Sequence, residues 1–184
     1  MEHVIRPVRA EEWLKIKGLR LAALLDPVAN IAFLETHEEA LARPDSFWQD
    51  RARGASHGGT ARQFIAEGPD GEWAGTVVLL TERAGSISFF DDEVPVSQGH
   101  LVGVFVRPEF RGTGLTRELF NGALEWAWSL REPKLERVRL YVHDANGRAA
   151  AFYRKAGFVP TGHSVASPGD AGHRELEMVI TREA

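Results

Sequence analysis

Residues 104 to 122 read Val-Phe-Val-Arg-Pro-Glu-Phe-Arg-Gly-Thr-Gly-Leu-Thr-Arg-Glu-Leu-Phe-Asn-Gly. An apolar strand passes there, through two glycines, into the start of an amphipathic helix. Gly112 and Gly114 allow the backbone to approach a ligand closely, and the first turn of a helix leaves several N–H groups without intrahelical acceptors. Such a turn is an anion cradle. A nucleotide P-loop is excluded, because no Gly-x-x-x-x-Gly-Lys followed by Ser or Thr occurs around Arg111 to Arg117. The dinucleotide fingerprint Gly-x-Gly-x-x-Gly also fails, since Arg117 stands where its third glycine belongs.

What remains is Arg111-x-x-Gly114-x-Thr116 between strand and helix. It resembles the acyl-coenzyme A pyrophosphate loop of the GNAT superfamily of N-acetyltransferases, Gln/Arg-x-x-Gly-x-Gly/Ala. Thr116 departs from that pattern, a β-branched residue whose hydroxyl can donate a hydrogen bond instead. A second segment, Leu140 to Phe158, is similar to the other signature of the family: a strand, then Asn146-x-x-Ala149-x-x-x-Tyr153, then Gly157-Phe158. Asn146 stands where a helix begins, as its N-cap or as an amide for a ligand, and Tyr153 lies seven residues on, along the same helical face. Gly157 suits the left-handed position that ends a helix.

The chain has 184 residues, a length for one domain spanning 1–184 that buries roughly two thirds of its unfolded surface. A net charge of −4 and the lack of any Lys or Arg run argue against nucleic acid as a partner. The chain contains no cysteine, which excludes disulfides and an acyl-cysteine intermediate, so direct transfer is expected. No apolar run approaches the ~20 residues that span a membrane, and Met1-Glu2-His3 opens with an acid rather than a basic leader; a cytoplasmic protein is expected. The histidines show no spacing for zinc, so no metal is expected.

Hydrophobic spacing predicts a strand over 4–8, a helix over 10–25, and a capping box at Thr36-His37-Glu38-Glu39 opening a second helix that Pro44 breaks. Asp45 can cap a further turn carrying Phe47 and Trp48. Strands over 63–67 and 73–81 flank the turn Gly68-Pro69-Asp70-Gly71. Residues 86–98 read as a strand running into a loop, followed by strand 100–107, helix 112–130, strand 137–143, helix 146–156 and a last strand 174–181. This order is similar to the GNAT fold, an α/β mixed sheet of six to seven strands with helices on both faces. Trp126 and Trp128 cannot both face one core on a helix, so an exposed indole would offer a homodimer interface.

The resemblance implies acetyl-coenzyme A as cosubstrate and a small-molecule or peptide amine as acceptor, with a non-catalytic acyl-coenzyme A sensing domain as the alternative. It implies that strands 100–106 and 138–142 splay and admit the pantetheine arm, with Gly103 freeing the backbone there. It assigns cofactor contacts to Val104, Phe105, Val106, Arg111, Gly112, Thr113, Gly114, Leu115, Thr116 and Asn146, the oxyanion donor being a main-chain N–H near Val106. Tyr153 occupies the general-acid position, and His100 stands where the family often places a basic Glu. Strand parity puts His100 on the face of Val102, Val104 and Val106, a count that a bulge at Gly103 would spoil. Asp91, Asp92 and Glu93 compete with His100 for the role of base.

Overall fold

The computed structural model describes residues 2–182. Seven strands, β1 (Val4–Pro7), β2 (Ala61–Glu67), β3 (Trp73–Glu82), β4 (Gln98–Val106), β5 (Arg137–His143), β6 (Val159–Ala166) and β7 (Arg174–Thr181), form one sheet in the order β1-β2-β3-β4-β5-β7-β6. All pairings are antiparallel except β4 with β5, which is parallel. The helices are α1 (Trp13–Leu24), α2 (Ala29–Ala32), α3 (His37–Ala42), α4 (Asp45–His57), α5 (Leu115–Ser129) and α6 (Gly147–Lys155).

Both faces of the sheet are covered, which is why Trp73 to Leu79 of β3 are buried without a break. On one face α5 buries Leu115, Leu119, Phe120, Ala123 and Ala127 against Phe64, Val77, Leu79, Leu101 and Val106. On the other, Ile16, Leu19 and Ala23 of α1 and Trp48 and Ala52 of α4 pack on Ile65 and Phe105. The close seat of α5 depends on Gly75. A methyl there would lie 2.8 Å from the Phe105 carbonyl oxygen, 2.9 Å from a Val106 methyl and 3.1 Å from Leu119.

Local signals match the observed ends. The Thr36 hydroxyl accepts from Glu39 N–H while the Glu39 carboxylate accepts from Thr36 N–H, closing the expected capping box at α3. Pro44, not Asp45, is the N-cap of α4, because Asp45 already has helical geometry there. Residues 86–98 do not form a strand until Gln98. They turn back on themselves through one bridge, Ile87 to Glu93, with Asp91 at a positive φ of 61°, and Phe90 packs on Tyr141 at 4.8 Å between ring centroids. Neither indole of α5 is bare: Trp126 is half-buried against Phe64 under Arg62, and Trp128 lies under Arg182. The exposed indole on which the homodimer expectation rested is therefore not present.

Gly75→Ala is expected to lower stability by about 1–3 kcal/mol through this overpacking. A urea titration that leaves the midpoint unchanged would show that α5 can lift off the sheet without cost.

Candidate functional site

The sheet opens between β4 and β5. Their pairing comprises Gln98 with Arg137, Gly99 with Val138 and His100 with Arg139, and goes no further, so Leu101 to Val106 and Leu140 to His143 diverge. At the divergence β4 carries a bulge: its pairing with β3 shifts between Thr76 and Val78, and Gly103 takes a φ of +62°, a left-handed value costly for residues with a side chain. The bulge overturns the parity that groups His100 with Val104 and Val106. Val104 and Val106 pack on the α5 side, whereas Phe105 belongs to the α1 and α4 core and His100 shares that second face with Tyr141.

Arg107 N–H donates to the Ala74 carbonyl at 2.8 Å. Backbone polar groups alternate sides along a strand, so the N–H groups of Val106 and Val104 point away from β3, into the opening. The side chains of Phe105, Val106 and Leu115 are core groups, which leaves only their backbones for a ligand.

At the end of β4 the glycine turn has the expected shape. Gly112 and Gly114 have φ of +76° and +90°, Gly114 is the N-cap of α5, and both are exposed. Glu118 N–H makes the first bond back into the turn, to the Gly114 carbonyl at 3.2 Å; the donors that precede it in α5 lie at the positive end of the helix dipole. Thr113 is tied down by its hydroxyl, which donates to the Phe110 carbonyl at 2.6 Å, and Thr116 is half-buried in the first turn of α5. Arg111 is anchored rather than extended: Nε donates to the Val106 carbonyl at 3.0 Å, and the guanidinium pairs with Asp26, a buried carboxylate at the end of α1. Burial raises the Asp26 pKa, but the hydrogen bonds from Arg111 and from Val28 N–H, together with the nearby positive charge, outweigh it and hold the carboxyl below its ordinary range.

Asn146 is the N-cap of α6, its side-chain oxygen accepting from Ala149 N–H at 3.3 Å, so its amide nitrogen is the part left for a ligand. Tyr153 is half-buried among Phe120, Phe152 and Phe158, stacked on Phe120 at 5.9 Å. Burial pushes its phenol up to about 12, which keeps the proton on oxygen at neutral pH and suits a donor.

Opposite this apolar half lies a charged cluster that the motifs did not reveal. Arg139, about 1% exposed, donates from Nε and Nη2 to Glu82 at 2.9 and 2.8 Å and from Nη1 to Glu177 at 3.0 Å. His100 is 3% exposed, with Nδ1 3.7 Å from Glu82 and without a hydrogen-bond partner. Burial favours the protonated form of Glu82, yet His100 and Arg139 beside it overcome this and hold the carboxyl down to about 2. Of the acidic trio only Asp92 turns toward this face, accepting from the Ser88 hydroxyl and lying 3.3 Å from His163 Nε2, while Asp91 and Glu93 are exposed. The strict alternation of Arg137, Arg139, Tyr141 and His143 with Val138, Leu140 and Val142 was the available signal that one face of β5 is polar.

Beside Asn146 the fold also gathers His143, Asp144 and His173, whose ligand atoms lie within 4.8 Å of one another. Their spacing in the chain hides this. His143 accepts from Ala145 N–H through Nδ1 at 3.1 Å and pairs with Asp170 through Nε2 at 2.8 Å, so both of its nitrogens are engaged in fastening the start of α6 to the loop before β7.

A mixed sheet opened at its parallel pair, with helices on both faces and a glycine turn leading into a helix N-terminus at the end of one strand, defines the class as an α/β domain. The chain belongs to the acetyltransferase (GNAT) family, whose family model matches residues 25–158. It is 27% identical over 109 residues to a spermidine N(1)-acetyltransferase of Vibrio cholerae, covering 59% of this chain and 56% of that protein. It is 33% identical over 103 residues to a peptidyl-lysine N-acetyltransferase of Escherichia coli, covering 56% and 58%. The matched stretches span between 29% and 58% of the length of the curated relatives. A solved structure of spermidine N-acetyltransferase from Vibrio cholerae in complex with CoA and spermine superposes with a TM-score of 0.68 at 20% identity, covering 98% of this chain and 95% of that one.

Glu82 supplies a pH test. Its folded pKa lies below its ordinary value of 4.5, so its stabilising contribution is complete above about pH 4.5 and is lost as pH falls toward 2, on the order of 3 kcal/mol in all. Acid unfolding followed by circular dichroism should show this loss, and Glu82→Gln should flatten it. An unchanged acid profile in that variant would remove Glu82 from the balance.

Proposed function

We propose that this protein is an acetyl-coenzyme A dependent N-acetyltransferase that moves an acetyl group directly from the thioester to a primary amine of a small molecule or peptide. The observation that carries this reading is the end of β4–β5 pairing at His100 beside the Gly112–Gly114 turn. A pantetheine arm has the amides to pair with the freed edge of β4, and the N–H groups at the start of α5 suit its pyrophosphate. Here Arg111 acts through the backbone it braces, and Asn146 offers its amide nitrogen to the arm.

In the reaction a neutral amine attacks the acetyl carbon and the carbonyl oxygen gains negative charge. A tetrahedral intermediate then collapses with loss of the coenzyme A thiolate. The N–H groups of Val104 and Val106, fixed by the bulge before substrate arrives, would bear on the oxyanion, and a donor so placed matters by about 3 kcal/mol. Tyr153, kept protonated by its aromatic surroundings, would hydrogen-bond or protonate the leaving sulfur. His100 lies on the opposite face of β4 with Glu82 beside Nδ1, an arrangement that suits a base taking the amine proton. The absence of cysteine from the chain rules out an acyl-cysteine intermediate and favours direct transfer.

Two outcomes are expected. Saturating acetyl-coenzyme A should stabilise the protein by about 2–3 kcal/mol at a hundredfold excess over Kd, read as a rise in Tm. No stabilisation and no calorimetric binding would sink the cofactor reading, and binding without coenzyme A release on any amine would leave a sensing domain. Second, Tyr153→Phe and His100→Gln should each lower kcat by about 10²-fold while acetyl-coenzyme A affinity stays within a few-fold. Unchanged turnover in either variant removes that residue from the chemistry.

A further inference from the structure

Behind the bulge, on the face covered by α1 and α4, lies a cavity of about 20 Å³ whose polar lining is Arg20, Arg51, Gln63 and Thr76, the rest of its wall being Gly103, Phe105 and aliphatic side chains of α1 and β3. Its volume exceeds the roughly 10–15 Å³ that one water requires but leaves no room for an alkyl chain, so it takes a small polar head group. Gly103 in its wall ties it to the opening of the sheet.

The charges around it do not balance. Glu35 accepts from Arg20 Nε and Nη2 at 3.2 and 3.1 Å and from Arg43 Nε at 2.7 Å, so one carboxylate serves two guanidiniums. Arg51 is a third. Among the described residues no carboxylate lies within 4.0 Å of it, and its guanidinium carbon sits 5.8 Å from the Trp48 ring centroid. Burial, and then the like charge of Arg20, push the Arg51 pKa down to about 10. It remains charged near neutral pH, half-buried, with the charge of Glu35 acting on it but no ion pair formed. Gln63 adds a second unmet group. Its Nε2 donates to the Thr76 hydroxyl at 3.0 Å, which itself donates to the Phe64 carbonyl at 2.8 Å; this fixes Gln63 Oε1 as a buried acceptor with no donor.

A half-buried guanidinium without an ion pair and a buried amide oxygen without a donor, lining one cavity whose wall includes Gly103 of the bulge, match a molecule that carries both an amine and an acid. We propose that Arg51, with Arg20, binds a carboxylate of the acceptor, and that this carboxylate lies within a few bonds of the reacting amine, as in a free amino acid. This rests on the acetyl-transfer reading and narrows it. A polyamine, with positive charge throughout and no anionic group, is disfavoured by the same three arginines.

The test compares free amino acids with their carboxamides, and with spermidine, as acceptors in a coenzyme A release assay. A charge-assisted contact to a guanidinium supports a preference for the best acid over its amide of about 30-fold in kcat/KM. Arg51→Met should cut that ratio at least about tenfold, mainly through KM, and Arg51→Lys should restore part of it. The Met variant should melt no lower than the wild type, because it loses a desolvated cation without an ion pair. Amide or spermidine turned over as well as the acid, a ratio unmoved by Arg51→Met, or a lower melting point in that variant each overturns the proposal. If no amine releases coenzyme A, the transfer reading has failed, and calorimetric titration of the same amino acids into the coenzyme A-saturated protein decides the pocket. Binding weakened about tenfold by Arg51→Met sustains carboxylate recognition, and no binding at millimolar concentrations overturns it.

Discussion

The hydrogen-bond ladder between β4 and β5 stops after three residue pairs, and the site depends on that interruption. A parallel pair in the middle of a sheet ordinarily continues, because backbone N–H and C=O groups left unpaired out of water cost free energy. Here the ladder is broken by the bulge at Gly103, which rotates β4 and sends the N–H groups of Val104 and Val106 into the gap. The Val106 carbonyl is satisfied locally by Arg111, leaving the Val106 N–H as an unmet donor on that edge. The same strand ends at the glycine turn, so one short run of backbone presents both an extended edge and a helix N-terminus.

The sheet separates two environments across that gap. On the α5 and α6 side the walls are apolar and aromatic, and Tyr153 belongs there, its proton held by burial. The other side carries Glu82, Arg139, Glu177 and His100, then Arg20 and Arg51 beneath α1 and α4. In the proposed transfer the two environments would supply different groups: a phenol kept neutral in an aromatic wall as acid, an imidazole set against a carboxylate as base. The Arg139 pairs are close and buried on both sides, so their value is in fixing β5 against β3 and β7 rather than in net stability. Arg51 differs in having no such partner among the described residues, and the proposed carboxylate of the acceptor would supply one.

Much of this was legible in particular residues. The glycine turn, the Asn146 cap, Tyr153 on its helix face and the Thr36 capping box are local patterns, and local patterns survive folding because they involve neighbours a few residues apart. Parity failed at His100 because a single inserted residue at Gly103 flips every side chain beyond it. Residues 86–98 resembled a strand because Ile87, Phe89 and Phe90 suit one, yet the segment folds back where Phe90 finds Tyr141. The two indoles of α5 do point apart, as their spacing demands, but each meets a different arginine at the rim of the helix and neither is left bare.

The chain's order of strands, its glycine turn and its Asn146–Phe158 segment were sufficient by themselves to determine the family fold. Those depend on backbone conformation and periodicity, which are written locally. Tertiary structure decided which face of β4 His100 occupies, that Glu35 pairs with Arg20 and Arg43, and that Arg51 forms no ion pair among the described residues. Arg20, Glu35, Arg51 and Gln63 are scattered over more than forty positions, and only packing α1 and α4 on the bulged strand brings their charges to one cavity.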